Sequence, residues 1–377
     1  MDYLKLDEIC NLNMGQSPSS DSYNQEGDGI PFFQGNADFG ELYPVTRVWC
    51  NKPTKIVDRG TLLISVRAPI GALNFATEKS CIGRGLAGLT VKNEYDLKYI
   101  YYSLKCKEQE LNNKGTGSTF KAISKSSLGE VLIRNVPIEK QKEYVKNLDL
   151  IQKIIIDERK QIEQLDTLIK ARFVEMFGDP DNNSLGWDEC MLSSLLAVIG
   201  GYAFKSDSFK EAGIPVLRIG NINSGYFVPV NMVYWADDSS LNRYKIYPGD
   251  LVMSLTGTVG KDDYGNVCIL GNEYDVYYLN QRNAKLELGE RLDKNYLSVL
   301  LKYPEIKKRL TGISRGVRQA NISNKDILNL NIPVPPINLQ KQFSAFVHQV
   351  EKLKSAVQKE LEQIQLLFDS LMQQYFG

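Results

Sequence analysis

Apolar residues recur along 141–177 at Tyr144, Leu148, Ile151, Ile155, Ile162, Leu165 and Ile169, a 4-3-4-7-3-4 spacing. Along 340–376 Phe343, Phe346, Val350, Leu353, Val357, Leu361, Ile364, Leu367 and Leu371 do much the same. A seam repeating every 3.5 residues belongs to a helix that packs lengthwise on another helix. About 37 residues at ~1.5 Å each predict rods of roughly 55 Å. Two ordinary core helices are the plainer alternative, but helices in globular domains average only about 11–12 residues. The pattern therefore predicts an antiparallel coiled-coil pair acting as a spacer. Upstream of each rod the pattern changes to short β-branched or aromatic runs, predicting strands at 61–66, 86–91, 215–219, 250–255 and 283–288. Helices capped by Asp96 and Asp293 follow, with Gly115 and Gly312 just past their ends, and Pro304 is expected to interrupt the second. Prolines in NVPIEKQ (135–141) and VPPINLQ (334–340) then mark the exits into the rods.

The chain is written twice. KQIEQLDTLIKARFVEMFG (160–178) lies against KELEQIQLLFDSLMQQYFG (359–377) at an offset of 199, with six of nineteen positions identical. The same offset pairs Ile123-Ser124 with Ile322-Ser323, Pro137 with Pro336 and Gln141 with Gln340. Upstream it shrinks: GTLLISVRAPIG (60–71) matches GDLVMSLTGTVG (249–260), and GIPFFQGNADFG (29–40) matches GIPVLRIGNINSG (213–225). Such self-similarity means two copies of one unit. The expected fold is α+β, with two similar β-rich mixed modules at 1–138 and 180–336. The long helices would occupy 139–179 and 337–377, giving a pseudo-two-fold internal repeat.

Composition narrows the chemistry. With 45 Lys+Arg against 45 Asp+Glu among 377 residues, no global basic field advertises nucleic acid, so a nucleic-acid reader must concentrate its charge locally. Six scattered cysteines without a CxxC pair argue against a zinc site and a disulfide framework, and for reduced thiols in cytosol. One histidine, His348, excludes His-clustered metal sites and argues against a Ser-His-Asp triad. The start, MDYLKLDEICN, has no basic n-region and no apolar h-region, so no secretory signal is expected. The run 62–66 is far short of the ~20 residues a membrane span needs. A cytoplasmic location is the expectation.

Catalytic signatures nearly form and fail. GRGLAG (83–88) runs into a strand rather than opening a helix, and its counterpart in the second copy has no glycine. In GTVGK (257–261), Asp262 stands where a P-loop needs Ser or Thr for magnesium. Neither a methyltransferase Asn-Pro-Pro-aromatic tetrapeptide nor a nuclease follow-up to Asp179-Pro180-Asp181 is found. A non-enzyme is expected. Charge is instead local: 294–318 carries seven Lys/Arg against Glu305, and 98–125 carries six lysines against Glu108 and Glu110. Both patches pass into Gly/Ser/Thr loops, NNKGTGSTFKAIS (112–124) and TGISRGVRQANIS (311–323), which suit phosphate oxygens and base edges. A solvated charged helix with an ordinary loop is the bland alternative for either patch alone; two at equivalent positions favour the reader.

Taken in order, IPFFQGNADFG and IPVLRIGNINSG, the two glycine-turn segments, CIGRGLAGL with YLNQRNAKL, and the exits AISKSSLGEVLIRNVPIEKQ and NISNKDILNLNIPVPPINLQKQ resemble the specificity subunit of Type I restriction–modification systems. The resemblance covers essentially the whole chain; each motif is degenerate, and their order, occurring twice, is what is specific. Lys140 and Leu339 depart from the acidic residue that commonly precedes the glutamine. The resemblance implies two target-recognition domains reading a split, asymmetric double-stranded DNA sequence. It implies partners too: modification subunits that carry S-adenosylmethionine and flip out the target adenine, and restriction/translocase subunits. No cofactor on this chain and no membrane are implied. The rival reading is a scaffold presenting two protein-binding modules on a coiled coil.

For DNA contacts we select Arg67, Arg84, Lys114, Thr116, Ser118, Thr119 and Lys121 in the first module. In the second we select Thr256, Thr258, Lys261, Arg282, Arg315, Arg318 and Gln319. Arginine bidentate to guanine and glutamine bidentate to adenine are the expected base readers, with Ser, Thr and Lys mostly on phosphate. Arg84 and Arg282 are taken as equivalent in the repeat, with a turn-satisfying structural role as the alternative for both.

Overall fold

A computed structural model of the chain describes residues 2–92, 94–116, 121–259, 261, 263–312 and 319–377, with Gln319 described by its backbone alone. The chain divides into two compact units, 1–159 with 358–377, and 160–357. Each unit contains one β-rich module and segments of both long helices, which span Ile138–Phe177 and Ile337–Phe376.

The repeat is physical. In the first module an antiparallel sheet runs in the order Cys10–Met14, Leu86–Val91, Leu62–Ser65, Leu73–Phe75; in the second the order is Leu196–Gly200, Asn283–Leu288, Leu251–Ser254, Val267–Ile269. A mixed sheet adjoins each. A parallel pair joins Ile30–Phe33 to Ser80–Ile82 in the first, and Ile214–Leu217 to Tyr277–Leu279 in the second. A two-stranded ladder, Tyr3–Lys5 with Leu132–Arg134 or Glu189–Met191 with Asn331–Pro333, ties the start of each module to its exit. Strands 62–65 and 251–254 are buried at every position, as runs such as LLIS and LVMS demand.

Asp96 accepts hydrogen bonds from the N–H groups of Lys98 and Tyr99, and Asp293 from those of Asn295 and Tyr296. Pro304 opens a separate helix, Pro304–Thr311. The first copy breaks as well, at Lys107 and without a proline, between Leu97–Cys106 and Glu108–Lys114. At 215–219 the strand stops at Leu217, because Asn221 Oδ1 captures the Arg218 N–H and turns the chain into Ile219–Asn221.

Each module packs on its own unit's helix segments. Leu148, Ile151, Ile155, Phe368 and Met372 join the first core, and Ile169, Phe173, Phe177, Phe343 and Val347 the second. The segments run antiparallel: Tyr144 stacks on Tyr375 at 3.9 Å in one unit, and in the other Phe173 meets Phe343 at 5.4 Å while Asp166 pairs with Lys354 at 2.6 Å. The expected seam of the second helix is corrected at two positions. Leu353 and Leu367 are 58% and 51% exposed, and Lys354 and Phe368 face inward instead. A helix of 3.6 residues per turn drifts ~20° per heptad against a strict 3.5 repeat, so the buried face arrives one residue later.

A buried glutamine clips each helix start to its module. Gln141 accepts from the Asp96 N–H (2.9 Å) and donates to the Val136 carbonyl (2.8 Å). Gln340 accepts from the Asp293 N–H (2.8 Å) and donates to the Pro335 carbonyl (2.7 Å). The departures at Lys140 and Leu339 leave this clip intact. Replacing Gln141 with Met keeps the side chain's length and strands both backbone partners, so it should destabilise the first unit by about 1–3 kcal/mol. A denaturation midpoint indistinguishable from wild type would show the clip to be idle.

All six cysteines are free thiols, and burial pushes Cys10 and Cys268 up to about 12, leaving them unreactive. Among the described residues no His/Cys/Asp/Glu cluster could hold a metal, and no helix is long and apolar enough to cross a membrane.

Candidate nucleic-acid interface

One edge of each module gathers the loops singled out above, on the same backbone scaffold. In the first module the Val66 N–H donates to the Gly85 carbonyl (2.9 Å) and the Ile123 N–H donates to the Val66 carbonyl (2.9 Å). In the second the Leu255 N–H donates to the Arg282 carbonyl (2.8 Å) and the Ile322 N–H to the Leu255 carbonyl (2.8 Å). Three segments therefore lie side by side in each copy: the turn before a central strand, the chain leaving the next strand, and the end of the Gly/Ser/Thr loop.

In the first module these contacts bring Arg67, Arg84, Thr116 and Lys121 onto one edge. Arg67 and Thr116 both bridge to Ala122, and the Lys121 carbonyl accepts from the Ala68 N–H at 3.1 Å. Arg67, Arg84 and Lys121 are exposed, and no side-chain hydrogen bond or ion pair links them to another described residue. Lys114 differs: it pairs with Glu110 at 3.2 Å. Ser118 and Thr119 lie outside the described residues.

In the second module Thr256 and Thr258 lie on a strand paired with Gln319–Asn321. The Thr258 N–H donates to Asp263 Oδ1 at 2.7 Å. That bond, with Lys261 nearby, holds the Asp263 carboxyl below its usual range, so the carboxylate stays charged and fixes the turn that carries Lys261. Arg282 is exposed, its N–H on Asn280 Oδ1 at 3.2 Å. The Gln319 backbone pairs with Thr258, while Arg315 and Arg318 lie outside the described residues.

Two expectations change. Ser65 pairs with Leu86 and Ser254 with Asn283, which places Arg84 level with Gln281, and Arg282 level with Gly85. Arg84 and Arg282 are thus neighbours in the repeat, one residue out of register, and not equivalents. The basic patches also contribute less free charge than their composition suggests. Lys98 pairs with Asp149, Lys107 with Glu110 and Lys308 with Glu305, while Lys294 and Lys302 donate to the carbonyls of Gly249 and Gly225. Arg309 donates to the Asp181 carbonyl, and Lys307 to Asn266 Oδ1 at 2.6 Å. The helical parts of the patches are thus engaged with the fold, while Lys121 of the first loop is exposed.

Three polar residues on the same edges escaped the sequence reading. Gln34 follows the parallel strand of the first module and Arg218 that of the second, both inside the repeated Ile-Pro motif. Gln281 stands beside Arg282, and a cavity of about 470 Å³ is lined by Arg218, Asn280, Gln281 and Arg282 with Phe204 and Phe209. The repeated motif was the available signal, but only the folded chain brings Arg218 against the 280–282 turn.

A family model described as the Type I restriction modification DNA specificity domain matches residues 1–167 and 185–366. Over 154 residues the chain is 46% identical to a protein of Methanocaldococcus jannaschii named as the MjaX type I restriction enzyme specificity subunit, a match spanning 41% of this chain and 36% of that protein. The MjaVIII specificity subunit of the same organism is 27% identical over 334 residues, 84% of this chain and 77% of that one. The S subunit of a Type I restriction–modification system from M. genitalium superposes over 100% of this chain and 96% of its own, with a TM-score of 0.61 at 18% identity, so the two share a fold.

Proposed function

Because the chain belongs to the family of Type I restriction modification DNA specificity domains, a family of non-catalytic specificity subunits, we propose that it reads a bipartite, asymmetric DNA sequence, one half-site per module. One observation carries this reading: the same three-segment edge is built twice on matching backbone bonds, with different side chains displayed each time. A shared scaffold with dissimilar readers gives dissimilar half-sites. Arg67, Arg84 and Lys121 would contact the first half, and Thr256, Thr258, Lys261 and Arg282 the second, with Lys and Thr mostly on phosphate.

The long helices would seat modification subunits, with restriction subunits joining the same complex. Leu150, Leu366 and Leu367 in the first unit and Leu353 in the second are 60%, 70%, 51% and 58% exposed. Large apolar side chains left open on a charged helix suit a partner surface. Purified chain with DNA and S-adenosylmethionine should transfer no methyl groups until a modification subunit is added; transfer by the chain alone would overturn the non-catalytic role. Arg67→Ala with Lys121→Ala should weaken DNA binding and flatten the log–log salt dependence by about 1–2 units, since each lost phosphate contact removes ~0.9. An unchanged slope would place the phosphates elsewhere.

A further inference from the structure

The two modules display the same pair of reader side chains in exchanged places. Gln34 and Arg218 each follow the parallel strand, one residue past Phe33 and Leu217. Each has its N–H held by the turn ahead of it, Gln34 by Asp38 Oδ2 (2.7 Å) and Arg218 by Asn221 Oδ1 (3.0 Å). Arg84 and Gln281 share the other position, each one residue before the carbonyl that receives the Val66 or Leu255 N–H. The first module thus carries glutamine then arginine, and the second arginine then glutamine.

The surroundings differ in a way that suits two targets. Gly83 and Gly85 flank Arg84, and a Cβ at Gly85 would meet the Gln34 carbonyl oxygen at 2.5 Å, so only glycine lets the turn close against Gln34. The second module has Asn280 and Arg282 in those places, and the 470 Å³ cavity lies there, with Arg218 and Gln281 in its lining. Arg218 donates through Nη2 to the Asn231 carbonyl, while its Nε is buried without a partner among the described residues.

We infer that Gln34 with Arg84, and Arg218 with Gln281, are the specificity-determining pairs that make the modules read different half-sites. The inference rests on the DNA reading proposed above. Arginine pairs with guanine O6 and N7 and glutamine with adenine N6 and N7, so exchanging them redirects a purine preference.

The test is the double variant Arg218→Gln, Gln281→Arg, expressed with its modification subunit in a host whose methylated adenines are then mapped. The expected result is a roughly ten-fold or larger change in base preference within the second half-site, with the first half unchanged. A motif identical to wild type overturns the assignment. Gln281→Arg alone, on an exposed turn, keeps the test decisive should the double variant fail to fold: preference should relax or change at one position, and an unaltered motif again overturns the assignment. A wild-type chain that directs no methylation at all is a different failure, that of the DNA-reading function itself.

Discussion

Replacing residues 180–336 with the same region of a relative will change one half of the methylated sequence and leave the other intact. The expectation follows from how each module is built. The second module has its own sheets and its own three-segment edge, and it contributes Asp293, whose N–H meets Gln340 on the retained helix. What the exchange leaves behind is the helix surface on which it sits: Phe173 and Phe177, packed on Tyr296 at 5.4 Å and 4.8 Å, and Phe343, packed on both of them. A donor module must therefore bring an aromatic residue at 296 and apolar residues at 297 and 300; a small residue at 296 would cost about 3–5 kcal/mol and lose the fold rather than alter the target. With those contacts kept, mapping methylated adenines should show a new second half beside the old first half. Both halves changing together would mean that the modules are not independent readers.

A heptad inserted at Arg159 and another at Gln358 will widen the unspecified gap between the half-sites and leave both halves unchanged. Each helix passes from one compact unit to the other at these two points. Seven residues restore the seam, so pairs such as Lys354–Asp166 and Tyr144–Tyr375 survive. At ~1.5 Å per residue each rod gains about 10 Å, the rise of about three base pairs. The gap should grow by up to that number. One heptad in one helix alone lets only one of those pairs keep its register, and activity should be lost. Methylation still directed at the original gap by the doubly lengthened protein would show that the helices are not the ruler.

The long helices and the repeat were legible because both are periodic, and periodicity survives without knowledge of partners. Capping at Asp96 and Asp293 and the break at Pro304 were legible because they are local. What failed was set by geometry finer than a pattern. Leu353 and Leu367 were placed in the seam by a 3.5-residue count, whereas the helix's true pitch turns Lys354 and Phe368 inward. Lys98 and Lys107 looked like free charge because Asp149 is remote in sequence and Glu110 needs the helix to form. Arg84 was matched to Arg282 by residue type, and strand register corrected the match by one residue. Arg218 was passed over although it sits in the repeated motif, because only the fold brings it into one cavity with Asn280, Gln281 and Arg282, more than sixty positions away.

The central claim is that two modules on one chain read two halves of one DNA site. Its most direct test is the adenine-methylation map of a host given this chain and its modification subunit, compared with the same host lacking the chain. The account predicts one asymmetric motif of two specified halves separated by a fixed unspecified gap, present only with the chain. A single uninterrupted motif, or the same map in both hosts, would contradict it.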